Sequence, residues 1–166
     1  METPASIRKH PLHPMLIAFP IGLWIFSLIC DGLGLLLADA SFAIVAFYTL
    51  IGGLAGAIIA AVPGMVDLLS LMHTRVKGIA LAHMSINIAV VILYAVNLGL
   101  RLPSISAPPL SAVALSLAGV VLLGISGWLG AEMVHVHGVG VSGVPLAEDA
   151  SAKASAPQGS ARRPLG

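Results

Sequence analysis

Charge is what this sequence has least of. Only 9% of its 166 residues are Asp, Glu, Lys or Arg, against about 25% in soluble domains. So few charges cannot cover a water-facing surface. The composition is instead 58% hydrophobic with a mean hydropathy of +1.02, and a chain of this length cannot hide that much apolar surface in its own core. Cysteine is nearly absent. The single one, Cys30, excludes an intrachain disulfide, a thiolate metal cluster and c-type haem attachment; inside an apolar run it reads as a small packing residue. With a net charge of +1 and basic residues scattered rather than striped, nothing tracks a phosphate backbone, which excludes nucleic acid as a partner. No phosphate loop, nucleophile elbow or His-Glu-x-x-His zinc motif occurs, so enzymatic activity is the least supported reading.

What is present is long apolar runs, at residues 15–37, 42–66, 79–100 and 110–134. About 20 apolar residues cross a hydrocarbon core of about 30 Å as a helix, whereas barrel strands would be about 9–11 residues with alternating polarity. The expected fold is all-α: a polytopic membrane protein, a four-transmembrane-helix bundle over residues 1–144. A disordered cytoplasmic tail is expected over 145–166, where Ala, Ser, Pro and Arg dominate. The first run is too long for a cleaved signal, whose apolar core is about 7–15 residues. The breaks hold Asp39, then His73, Arg75 and Lys77, then Pro103, Pro108 and Pro109, which cannot continue a helix. Pro20 is expected to kink the first helix. No internal repeat is evident. Arg8, Lys9, Arg75, Lys77, Lys153, Arg162 and Arg163 fall on one side of the spans and only Arg101 on the other. The positive-inside rule therefore puts both termini in the cytoplasm.

Small residues recur four apart, as Gly52 with Gly56 and Gly53 with Ala57, extended by Ala60 and Gly64; Gly119, Gly124, Gly127 and Gly130 thin the fourth helix similarly. They predict close helix packing within the bundle rather than a homodimer seam. Trp24 lies mid-span and is expected to pack.

All six histidines map to the expected cytoplasmic end. His10 and His73 are read as interface residues. His83 lies inside an apolar run with Asn87 one turn on, and polar groups within a span normally face the bundle interior. His13 sits between Pro11 and Pro14, which stiffen the entry to the first helix. Glu132 and His135, three apart, share a helix face; a lone Glu-x-x-His falls short of a di-iron site, and Glu132 is expected to bond a histidine or Arg75. Asp67 closes the second helix on the same side. His13, His83 and His137 are the candidate ligands of a haem b or, alternatively, of a transition-metal ion. Asp67, Asn87, Glu132 and His135 are the supporting polar groups, and a proton relay is the other chemistry open to such a set. Asp31 is the one acidic residue deep within the first span. Arg101 and Asn97 are its expected partners, a structural pair being favoured over ion transport.

The segment His10-Pro11-Leu12-His13-Pro14-Met15-Leu16-Ile17-Ala18-Phe19-Pro20-Ile21-Gly22 resembles bacterial membrane proteins grouped as domain of unknown function 2231. Further segments agree: Pro63-Gly64-Met65-Val66-Asp67, Ala82-His83-Met84-Ser85-Ile86-Asn87, and Gly127-Trp128-Leu129-Gly130-Ala131-Glu132 leading into His137-Gly138-Val139-Gly140-Val141. The resemblance implies a four-helix protein of the bacterial cytoplasmic (inner) membrane with no assigned activity, and His13, Asp67, His83 and His137 as the matched polar positions. The position of His135 is often aromatic in relatives, which weakens a ligand role for it. The resemblance also implies redox partners of Rieske or cytochrome type. The leading expectation is a haem- or metal-binding electron-transfer module in the lipid bilayer. The alternatives are a small proton-coupled transporter or accessory subunit, and a purely structural membrane subunit.

Overall fold

The computed structural model describes residues 3–8 and 10–141; the expected tail at 145–166 and Lys9 lie outside them. A small antiparallel hairpin of β1 (Ser6–Ile7) and β2 (His10–Pro11) leads into α1 (Leu12–Leu37), α2 (Ala40–Leu71), α3 (Lys77–Arg101) and α4 (Leu110–His135). All four helices are long and apolar enough to cross a membrane. Each contains one of the expected spans, and α2 runs a full turn past Asp67 to Leu71. The outer surface is what lipid demands: Phe19, Leu36 and Trp128 are 74%, 82% and 76% exposed.

The helix ends follow local chemistry. Asp39 caps α2, its Oδ1 accepting from the Ser41 backbone N–H at 2.9 Å and from the Ser41 hydroxyl at 2.6 Å. Pro20 and Pro63 lie inside continuous helices rather than ending them. Each removes a backbone donor and loosens the carbonyls of the preceding turn. Pro20 packs on Gly56, where an added Cβ would stand 3.3 Å from the proline Cδ.

The second hairpin, α3–α4, repeats the first. Asp31 and Arg101 are 70 positions apart, and so are Trp24 and Tyr94, and His13 and His83. Four of the five buried positions of α1 (Pro20, Trp24, Ser27, Asp31) recur in α3 as Val90, Tyr94, Asn97 and Arg101. Six of the eleven in α2 (Ala46, Leu50, Gly53, Ala57, Ala60, Asp67) recur at a second common offset in α4 as Ala112, Ser116, Gly119, Leu123, Ser126 and Met133. This overturns the expectation of no repeat. Two copies of a hairpin keep α1 parallel to α3 and α2 parallel to α4, related by an axis along the membrane normal. The repeat escapes a fixed-period search because the hairpins differ in length. His13 reaches Ala60 across 47 positions and His83 reaches Ser126 across 43, while Trp24 reaches Leu50 across 26 and Tyr94 reaches Ser116 across 22. In both comparisons the second hairpin is shorter by about one turn.

Candidate functional site

Equivalent residues of α1 and α3 meet at three levels between the hairpins. At the level farthest from the termini, Arg101 grips Asp31 with both guanidinium ends, Nη1 to Oδ1 at 2.8 Å and Nη2 to Oδ2 at 2.5 Å. Arg101 Nε donates to Asn97 Oδ1 at 2.8 Å, and Asn97 Nδ2 donates to the Ser116 hydroxyl at 2.8 Å. Both charged side chains are fully buried. Of the partners expected for Asp31, Arg101 is present, while Asn97 bonds the arginine rather than the acid. A bidentate pair braced by further hydrogen bonds is the form in which opposite charges survive inside a membrane, and the Ser116 hydroxyl adds a longer contact to Asp31 Oδ2 at 3.5 Å.

At the middle level the Trp24 and Tyr94 rings stack, with centroids 4.2 Å apart and planes within 3°. Trp24 Nε1 donates to the Leu50 carbonyl at 3.3 Å and the Tyr94 hydroxyl to the Ser116 carbonyl at 3.2 Å. Gly53 and Gly119 make room for them: an added Cβ would collide with the indole at Gly53 and stand 2.6 Å from Tyr94 Cε2 at Gly119. The small-residue stripes therefore act inside the bundle, as expected, except that Gly124 and Gly127 face open space.

At the level nearest the termini are His13 and His83, with ring centroids 6.3 Å apart and planes at 87°. Both are half-buried. They are held alike. The Nδ1–H of His13 donates to the carbonyl of Ala60 at 2.8 Å, on the turn that Pro63 loosens. The Nδ1–H of His83 donates to the carbonyl of Ser126 at 2.9 Å. One turn on from each carbonyl stands a glycine under the ring, Gly64 beneath His13 and Gly130 beneath His83, where added Cβ atoms would meet ring atoms at 2.7 and 3.3 Å. A carbonyl can only accept, so Nδ1 carries a proton in both rings, and in the neutral tautomer the lone pair is on Nε2.

The two rings differ in what else they touch. The Ser126 hydroxyl lies 3.0 Å from His83 Nδ1. The Asn87 amide Nδ2 donates both to His83 Nε2 at 3.0 Å and to the His83 carbonyl at 2.9 Å. The counterparts of Asn87 and Ser126 beside His13 are Ile17 and Ala60, which offer no such groups.

The other sequence candidates make hydrogen bonds to partners other than the two rings. Asp67 Oδ1 accepts the backbone N–H of Ala5 at 2.9 Å, and Leu12 N–H bonds the Ala5 carbonyl at 2.9 Å; Asp67 thus fastens the chain that enters α1. His135 is exposed and bonds its own helix at the Ala131 carbonyl, 3.0 Å away. Glu132 is half-buried in the last turn of α4, its carbonyl taking the N–H groups of Val136 and His137. His137 follows in the turn made by Gly138 and Gly140, both at positive φ (65° and 77°), which lays Gly140 against Pro11. Among the described residues no three His, Cys, Asp or Glu side chains gather into a group that could hold a metal ion. The expected trio His13, His83 and His137 is not gathered into such a group; His13 and His83 stand in ring contact, and His137 follows the end of α4 at His135. Sequence reasoning missed the carbonyls of Ala60 and Ser126. Their signal was the small residues Ala60, Gly64 and Gly130, which read only as packing, and Ser126, which was not singled out.

A family model described as "Predicted membrane protein (DUF2231)" matches residues 9–143. No curated protein and no solved structure gives a match.

Proposed function

The chain belongs to this family of predicted membrane proteins, and we propose that it is a membrane-embedded transition-metal module in which His13 and His83 hold one ion through Nε2. The observation that carries this reading is the matched anchoring of the rings. Each Nδ1–H is tied to a backbone carbonyl, at 2.8 and 2.9 Å, which is how metal-ligating histidines are oriented and made more basic. Two imidazoles sharing an ion at about 2 Å per bond have centroids about 5 Å apart at a tetrahedral angle and about 6 Å apart when opposed across it, and the rings stand at 6.3 Å. Imidazole suits zinc, copper, iron and nickel. With two protein ligands the remaining positions stay open to water or an incoming molecule, and with copper or iron the module transfers electrons. A single ion is favoured over haem b because glycine backbone packs against both rings.

The site end carries Arg8, Arg75 and Lys77, while Arg101 at the opposite end is withdrawn into its pair with Asp31. The positive-inside rule then puts the histidines at the cytoplasmic face, where a redox partner of Rieske or cytochrome type would dock. Transport is disfavoured, because the Trp24–Tyr94 stack and the Asp31–Arg101 pair fill the interior between the hairpins.

The test is the metal content and absorption spectrum of the full chain purified in mild detergent. One transition-metal ion per chain is expected, lost in His13→Ala and in His83→Ala and kept in His137→Ala. A Soret band in its place assigns haem. Protein that holds neither and takes up neither overturns the reading and leaves a structural subunit whose histidines only bond the bundle.

A further inference from the structure

We infer that Asn87 is a gate on this site: it caps the ring nitrogen that His83 must present to an ion, so that His13 binds first and His83 joins only when the Asn87 amide turns away. The inference rests on the two-histidine reading and adds to it an order of events. The Asn87 amide spans His83 Nε2 and the His83 carbonyl, at 3.0 and 2.9 Å. Because Nδ1 of His83 already donates to the Ser126 carbonyl, Nε2 is the ring's one remaining lone pair, and that is the atom Asn87 occupies. His13 is anchored in the same way, yet position 17, which stands to His13 as position 87 stands to His83, holds Ile17. Leucine or isoleucine has no donor, so the lone pair of His13 needs no such release. Asn87 is thus a positioning residue. It keeps the ligand-free His83 ring satisfied inside the membrane, where an unpaired polar atom is costly, and it must give up one hydrogen bond when the ion arrives.

The repeat supplies the experiment. Asn87→Leu removes the cap, and Ile17→Asn builds the same cap on His13 from the equivalent position. Titration of the full chain in detergent with Cu²⁺ should give about threefold to tenfold tighter binding in Asn87→Leu, the worth of one net hydrogen bond, and weaker binding by a similar factor in Ile17→Asn. Stopped-flow mixing with Cu²⁺ should show two phases in the unaltered chain and one in Asn87→Leu, a change that a packing role for Asn87 would not produce. If Cu²⁺ binds the unaltered chain and Asn87→Leu with equal affinity and equal phases, the gate is overturned and the metal site stands. If binding is unchanged in His83→Ala, or absent in both the unaltered chain and Asn87→Leu, gate and site fall together. Should Ile17→Asn fail to fold, Asn87→Leu decides alone.

Discussion

The two hairpins are one scaffold furnished in two ways. At equivalent positions α1–α2 has Ile17, Ser27, Asp31, Leu50 and Ala60, where α3–α4 has Asn87, Asn97, Arg101, Ser116 and Ser126. The second hairpin carries most of the added polar groups. It brings Arg101 and the Ser116 hydroxyl to Asp31, braces Arg101 with Asn97, and places the Ser126 hydroxyl and the Asn87 amide on His83. The first hairpin is correspondingly plain, and its polar side chains turn mainly to its own backbone, as His13 does to Ala60, Trp24 to Leu50 and Ser27 to Ala46. Small residues at the contacts are what the two halves share. The difference teaches that the backbone packing needs the repeat, while the polar chemistry on the axis is added by making the halves unlike.

That comparison breaks hardest at Asp31 and Arg101. Arg101→Leu leaves a buried carboxylate without its cation, at a cost of about 3–5 kcal/mol. Thermal unfolding in detergent should show a large loss, and the double variant Asp31→Leu/Arg101→Leu should recover most of it, since an apolar pair carries no stranded charge. The glycines come next. Gly119→Ala drives a Cβ into Tyr94 and should cost about 1–3 kcal/mol, with Gly53→Ala behaving alike under Trp24. Gly124→Ala, which meets nothing within 4 Å, should be neutral or gain up to about 1 kcal/mol through helix propensity; a loss at Gly124 equal to that at Gly119 would refute ring contact as the cause, and unequal losses at Gly53 and Gly119 would refute the equivalence of the stacks. A smaller effect is expected of Tyr94→Phe, which keeps the stack and drops the bond to the Ser116 carbonyl, for about 0.5–1.5 kcal/mol by the same measurement. The smallest lies at a turn that only the first hairpin has. The Ser41 hydroxyl, and then its backbone N–H, hold the Asp39 carboxyl below its ordinary value of 3.8. Its cap therefore stabilises fully above that value and fades as the pH falls through the lower folded one. Asp39→Ala should lower the melting temperature slightly at pH 7 and not at all in strong acid.

Much of this was legible in the residues. Apolar runs bounded by Asp39, Arg75 and the prolines gave the helices, because length and hydrophobicity alone decide what crosses lipid. Asp31 pointed to Arg101 and Asn97, because a buried charge must find its opposite. The repeat was not legible, since counterparts share a role more often than an identity, as Trp24 and Tyr94 do, and the offset changes between the two helices of a hairpin. The turn after α4 was hidden as well: proximity to α4 in sequence says nothing of the positive φ at Gly138 and Gly140 that lays Gly140 against Pro11.

The central claim is that equivalent positions of two unlike hairpins deliver two imidazoles to one ion. Electron paramagnetic resonance of the full chain saturated with Cu²⁺ counts those imidazoles directly through their nitrogen couplings. The account predicts two, falling to one in either His13→Ala or His83→Ala and unchanged in His137→Ala. A spectrum with none, or one in which His137→Ala removes a nitrogen, would contradict it.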